Sequence, residues 1–172
     1  MLNNHLGAYS RRSSRVSLRL IGGGFSYTPW SEVWHYSDIG LLSVYVAVKP
    51  ENLLTVLAIL GEEFERLRTK RLTGNELDLA SRALKNTARE RRFDSLSLAG
   101  FYAQQLLATG EIITSDQYIR SVNQLRARDL RRVAQNLFKA ERMNVVIVGP
   151  LDRIDAVAVE ACLNIPSPME RS

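Results

Sequence analysis

Between residues 41 and 48 the chain alternates with a period of two. Leu42, Val44, Val46 and Val48 fall on one face; Leu41, Ser43, Tyr45 and Ala47 fall on the other. Both faces are mostly apolar, which predicts a largely buried strand. Just upstream, FSYTPWSEVWHYS (25–37) is rich in aromatic residues and reads as a second strand. Pro29 lacks a backbone donor and confines part of that run to an edge or a bulge. Residues 37–40, SDIG, are turn formers, so the two strands are expected to pair antiparallel.

The period then changes to that of a helix. Leu53, Val56, Leu57, Leu60, Phe64 and Leu67 form one stripe behind Pro50, a residue suited to a first helical turn, with Glu51 beside it at the positive end. Thr73 and Glu76 have capping-box spacing and open a further helix that faces Leu77, Ala80, Ala83, Leu84 and Ala88 inward. An apolar helix over 95–109 ends at Gly110, and Thr114 with Gln117 opens a short one around Tyr118, Ile119 and Val122. ARDLRRVAQNLF makes another, with Leu130, Val133, Ala134, Leu137 and Phe138 inside. MNVVIVGP (143–150) reads as a short buried strand, 152–163 as a last helix and 164–172 as a loose tail. Ahead of everything, residues 11–21 form a short helix through Val16, Leu18, Leu20 and Ile21, stopped by Gly22, Gly23 and Gly24. Helices segregated from an antiparallel sheet predict an α+β layered domain, a single one over 1–163.

Charge sharpens this only a little. The net charge is +5, and 19 of the 23 basic residues are arginine. The clusters RLRTKR, RERR and RARDLRR are interleaved with acids and apolar residues at helical spacing, and they lack aromatic neighbours for base stacking. They read as solvated helix faces, not a nucleic-acid groove. The first 31 residues are rich in Arg and Ser and contain no acid, a composition shared with mitochondrial transit peptides. No apolar run approaches the roughly 18 residues that span a bilayer. The expectation is a water-soluble chain of bacterial cytoplasmic or periplasmic type.

No self-sufficient active site emerges. The glycines of LRLIGGGFSY follow a helix and precede a strand, the reverse of a phosphate loop, and no Lys-Ser/Thr follows them. The two histidines, His5 and His35, and the single Cys162 provide no zinc spacing. Cys162 sits among apolar helical residues and lacks the surroundings of an activated thiol. Ser13, Ser14 and Ser26 have no nucleophile-elbow context.

Several strings, in order, resemble the M16 (insulinase or pitrilysin) metallopeptidase family, specifically its inactive C-terminal half. LNNHLG followed by SSRV is similar to the L-G-G-x-x-S-S-R-L region, and GFSY to the end of R-E-K-x-G-L-A-Y. YSDIGLLSVYVAV resembles the aromatic-x-D-T-G strand, and LTGNELDLASRALKN the T-x-x-E-L-x-x-A-K helix. The run from DSLSLAGF to QNLF and the NVVIVGP strand match the late elements, so the similarity extends over about residues 2–151.

That resemblance implies a fold of two lobes around a chamber, with zinc held by H-x-x-E-H in the lobe this chain does not represent. It implies no catalytic and no metal residue here, and no cofactor beyond zinc in a partner lobe. The chain would be a fragment, or one member of a split pair, lacking the first strands of a complete lobe. The family's C-terminal lobe contributes an arginine and a tyrosine that hold the substrate peptide. Tyr27 matches the tyrosine. The position seven residues earlier is Leu20, and Arg19 stands beside it as the candidate arginine. Each has a plain alternative, a surface arginine and a packed strand tyrosine. The implied function is a substrate-binding lobe that presents an unfolded peptide to a zinc-bearing partner. The alternative is an inactive structural subunit derived from a processing peptidase.

Overall fold

The computed structural model describes Asn3, Leu6, residues 14–150 and residues 154–163. Its elements are helix α1 (Arg15–Gly22), strands β1 (Trp30–His35) and β2 (Gly40–Tyr45), and helices α2 (Leu53–Thr69), α3 (Gly74–Glu90) and α4 (Ser95–Thr109). Helices α5 (Ser115–Gln124), α6 (Ala127–Leu137) and α7 (Ala156–Leu163) complete the order. This is an α+β chain, as expected. His5, the LNNHLG string apart from Asn3 and Leu6, the start of the first helix before Ser14, the start of the last at 152 and the tail from 164 lie outside the described residues.

The hairpin forms where strand alternation meets turn residues. β1 and β2 pair antiparallel, Trp30 opposite Tyr45 and His35 opposite Gly40, and the Tyr36 amide donates to the Ile39 carbonyl in the turn. Leu42, Val44, Val46 and Val48 turn toward the core, the face the alternation predicts. The other face is not buried: Trp34, Leu41 and Tyr45 are exposed, because the core-forming helices lie on one side only.

Helix α2 organises the core. Val56, Leu57, Leu60 and Leu67 are buried along its stripe, and Phe64 stacks on Phe138 with ring centroids 4.7 Å apart. Helices α1, α6 and α7 all pack against it. Leu130 and Ala134 of α6 are buried as predicted, whereas Val133 sits at the rim of that stripe and is exposed. Pro50 does not begin the α-helix. It opens a 3-10 turn, Pro50–Asn52, immediately ahead of α2.

Both capping boxes form. Thr73 and Thr114 accept from the amides of Glu76 and Gln117, whose side chains accept in return from the Thr73 and Thr114 amides. Helix α4 has no buried residue among its fifteen, and Leu96 and Leu107 stand exposed. Among the described residues no helix is long and apolar enough to cross a membrane.

The strand expected at 143–150 is absent. Met143 and Ile147 pack against the core, but the segment joins no ladder, and Val146 and Val148 are 86% and 93% exposed. Alternation satisfied one face; a strand also needs a neighbour to accept its amides, and the described sheet stops at β2.

The three glycines have unequal duties. The Gly24 amide donates to the Ile21 carbonyl and the Phe25 amide to the Leu20 carbonyl, the two bonds of a Schellman motif with Gly24 left-handed at φ +71°. Phe25 and Leu20 then join the same apolar cluster. Gly22 and Gly24 meet open space, so Gly24 is required for its dihedral alone. Substituting Gly24→Ala should cost about 1 kcal/mol in urea unfolding; no change would mean the turn tolerates another conformation.

Candidate functional site

Helix α1 begins at Ser14, whose hydroxyl accepts from the Ser17 amide. That start places Arg15 and Arg19 four residues apart, on one face. The same spacing logic on α2 puts Glu62, Glu63 and Arg66 together, and the two helices pack against each other.

The result is a charge network centred on Glu63, which is 1% exposed. Arg15 Nε donates to its Oε2 at 2.9 Å and Arg66 Nε to its Oε1 at 2.8 Å. Arg66 also reaches Glu76 at 3.3 Å, which ties α3 into the group. Arg19 holds a different partner. Its Nη2 donates to Glu62 Oε2 at 2.6 Å, while Nη1 stays 4.0 Å from Glu63. The Arg19 side chain is 34% exposed and that of Glu62 65%.

Tyr27 comes off the far end of the Schellman turn. Ser26, one residue earlier, is buried, and its hydroxyl donates to the Ala47 carbonyl at 2.9 Å, which pins the loop beside the end of β2. The chain therefore enters β1 with Tyr27 thrown outward, 83% exposed. No hydrogen bond joins it to Arg19; the same turn places the two at its opposite ends. Tyr27 is not a packed strand tyrosine, whereas Arg19 lies at the surface, paired with Glu62.

Sequence inspection missed Glu62 and Glu63. A signal existed: Glu63 lies on the Val56–Leu60–Leu67 stripe, and a carboxylate on an apolar stripe demands a buried cationic partner. Much of the arginine excess is likewise paired on or between helices, as in Arg68–Glu65, Arg82–Asp78 and Arg92–Asp116.

Other candidates contribute less. His35 is exposed at the end of β1, and Cys162 is half-buried. A shallow cleft of about 280 Å3 opens beside Glu62, lined by Phe64, Phe138, Met143 and Cys162. Around α4 and α5, the Arg91 guanidinium lies 4.5 Å from the centre of the Phe101 ring, and Phe101 meets Tyr118 edge to face. Burial there raises the Tyr118 phenol above its ordinary value, against the opposing pull of Arg91. Among the described residues no three of His, Cys, Asp and Glu are grouped to hold a metal ion. The sequence has no H-x-x-E-H.

Comparison with known proteins bears on the fold and on the family resemblance. Residues 1–84 match the peptidase M16 inactive domain. An uncharacterized zinc protease of Streptomyces coelicolor is 25% identical over 128 residues, 74% of this chain and 28% of that protein. Mitochondrial-processing peptidase subunit alpha-2 of Dictyostelium discoideum is 23% identical over 126 residues, 73% of this chain and 27% of that protein. The fold also matches a chain of Candida albicans complex III2 with Inz-5 bound. There the TM-score is 0.64 at 12% identity, over 76% of this chain and 32% of that one. This chain thus spans between a quarter and a third of the length of each. The inactive-domain match over residues 1–84, the relatives and the α+β fold together support a likeness to the C-terminal lobe of M16 peptidases.

Proposed function

We propose that this chain is the non-catalytic, substrate-binding lobe of an M16-type zinc peptidase and works with a separate, zinc-bearing lobe. The observation that carries the reading is Tyr27, held outward by a buried loop at the entrance to β1. Among the described residues β1 pairs with one strand, β2, and the reading adds an extended peptide along the exposed Val33–His35 end of β1. A peptide added there gains main-chain hydrogen bonds that ignore side-chain identity, a mode suited to unfolded substrates. The Tyr27 hydroxyl donates to a peptide carbonyl, and the Arg19 guanidinium supplies positive charge nearby. Bond cleavage belongs to the zinc of the other lobe; these residues bind and orient.

A second reading, an inactive structural subunit, is favoured by the pairing of Arg19 with Glu62 and by the likeness to a complex III chain. Hydrolysis of an unfolded peptide by the zinc-bearing lobe, with and without this chain, separates the two. The binding reading expects cleavage only when both are present. It also expects Tyr27→Phe to raise KM about fivefold with kcat nearly unchanged, the loss of one hydrogen bond made equally in ground and transition states. Hydrolysis indifferent to this chain would leave the structural reading standing.

A further inference from the structure

Resting on the substrate-binding reading, we infer that Glu62 is a specificity-determining residue: it occupies Arg19 so that only an anionic group of the peptide, a C-terminal or side-chain carboxylate, can claim the guanidinium. The geometry divides the two neighbouring glutamates. Both oxygens of Glu63 are already engaged, Oε2 by Arg15 and Oε1 by Arg66, which leaves Arg19 Nη1 no closer than 4.0 Å. Glu63 therefore anchors the network and cannot easily exchange partners. Glu62 differs on each count. Its only ion-pair partner among the described residues is Arg19, at 2.6 Å, and its side chain is 65% exposed.

An ion pair this open to water contributes little net stability, and the freed Glu62 carboxylate recovers full hydration when it swings away. The energetics of replacement then decide the ligand. A peptide carbonyl offers Arg19 a bond to a neutral acceptor, without the attraction between two full charges that the Glu62 carboxylate supplies. It loses the competition. A peptide carboxylate exchanges like for like and can engage the guanidinium bidentately. Arg19 is thus shielded from neutral backbone and open to acid. A Glu62 that served merely to hold α1 against α2 would be redundant, since Arg15 and Glu63 already make that link between the same helices.

The test uses the full chain and a short, unstructured peptide of alternating valine and serine, fluorescently labelled at its amino end. One form has a free C-terminal carboxylate and the other a C-terminal amide. Anisotropy titrations are run on the parent protein, Glu62→Gln, Arg19→Gln and the double variant, with thermal melts beside them. The expected result is that Glu62→Gln tightens the carboxylate form about fivefold, with an unchanged melting temperature. In the Arg19→Gln background the same substitution does nothing, because the two residues act through one another. The amide form should ignore Arg19→Gln in the parent and become sensitive to it only once Glu62 is gone. Binding that occurs but responds identically in both forms, or a Glu62→Gln effect that persists without Arg19, overturns the inference and leaves the substrate-binding reading intact. Absence of binding by either peptide to any of the four proteins overturns both.

Discussion

Replacing Glu63 with alanine should lower the unfolding free energy by about 3 kcal/mol, among the largest losses open to a single polar substitution in this chain. The carboxylate is 1% exposed and receives two arginine Nε–H bonds, from Arg15 at 2.9 Å and from Arg66 at 2.8 Å. Its removal leaves two guanidinium groups facing a void between α1 and α2. Arg15 has solvent access and recovers part of the loss; Arg66, only 16% exposed, recovers less and keeps its 3.3 Å contact with Glu76. That difference sets the figure at the lower end of the range for a broken buried pair. Glu62→Ala is the matched comparison. It sits one residue away, is open to water, and should cost no more than about 1 kcal/mol. Urea unfolding of both variants decides the matter: equal losses would mean that the burial of Glu63 does not govern its contribution.

The second large effect is expected at Gly61, where two helices meet at backbone distance. A Cβ built there would lie 2.5 Å from the Cys162 carbonyl oxygen and 3.6 Å from its carbonyl carbon. Backbone atoms cannot rotate aside as a flexible side chain would. Gly61→Ala must therefore push α7 off α2 and loosen Val159 and Leu163, which are buried between them. Overpacking of this kind costs about 2 kcal/mol. It should also speed labelling of the half-buried Cys162 thiol by a water-soluble maleimide. Unchanged stability together with unchanged labelling would show that α7 can slide without penalty.

Local rules were read correctly wherever the deciding interaction is local. Thr73 with Glu76 and Thr114 with Gln117 cap their helices because each partner lies within one turn. The stripe of α2 and the inward face of β2 follow from periodicity, which geometry enforces on any chain. The glycine turn was recognised as a turn, although which glycine needed a left-handed backbone became visible only with its hydrogen bonds. Errors arose where a distant partner decides. MNVVIVGP alternates like a strand and forms none, since strandness depends on a neighbour that alternation does not provide. The outer faces of β2 and α4 are as apolar as buried elements and lie exposed for the same reason.

The candidate site divides along the same line. Tyr27 and Arg19 were both singled out by resemblance to a family pattern. Their surroundings were not legible: the exposure of Tyr27 depends on a Ser26–Ala47 bond across 21 residues, and the state of Arg19 on a helix 43 residues away.

By itself, then, the sequence determined the helices, their caps and the hairpin and carried the family resemblance, because each rests on contacts within a few residues or on an ordered series of short motifs. Tertiary structure alone decided which charges meet. It buried Glu63 beneath two arginines and set Glu62 against Arg19, because Coulombic and hydrogen-bond partners are chosen by distance in space. Separation along the chain has no bearing on that choice.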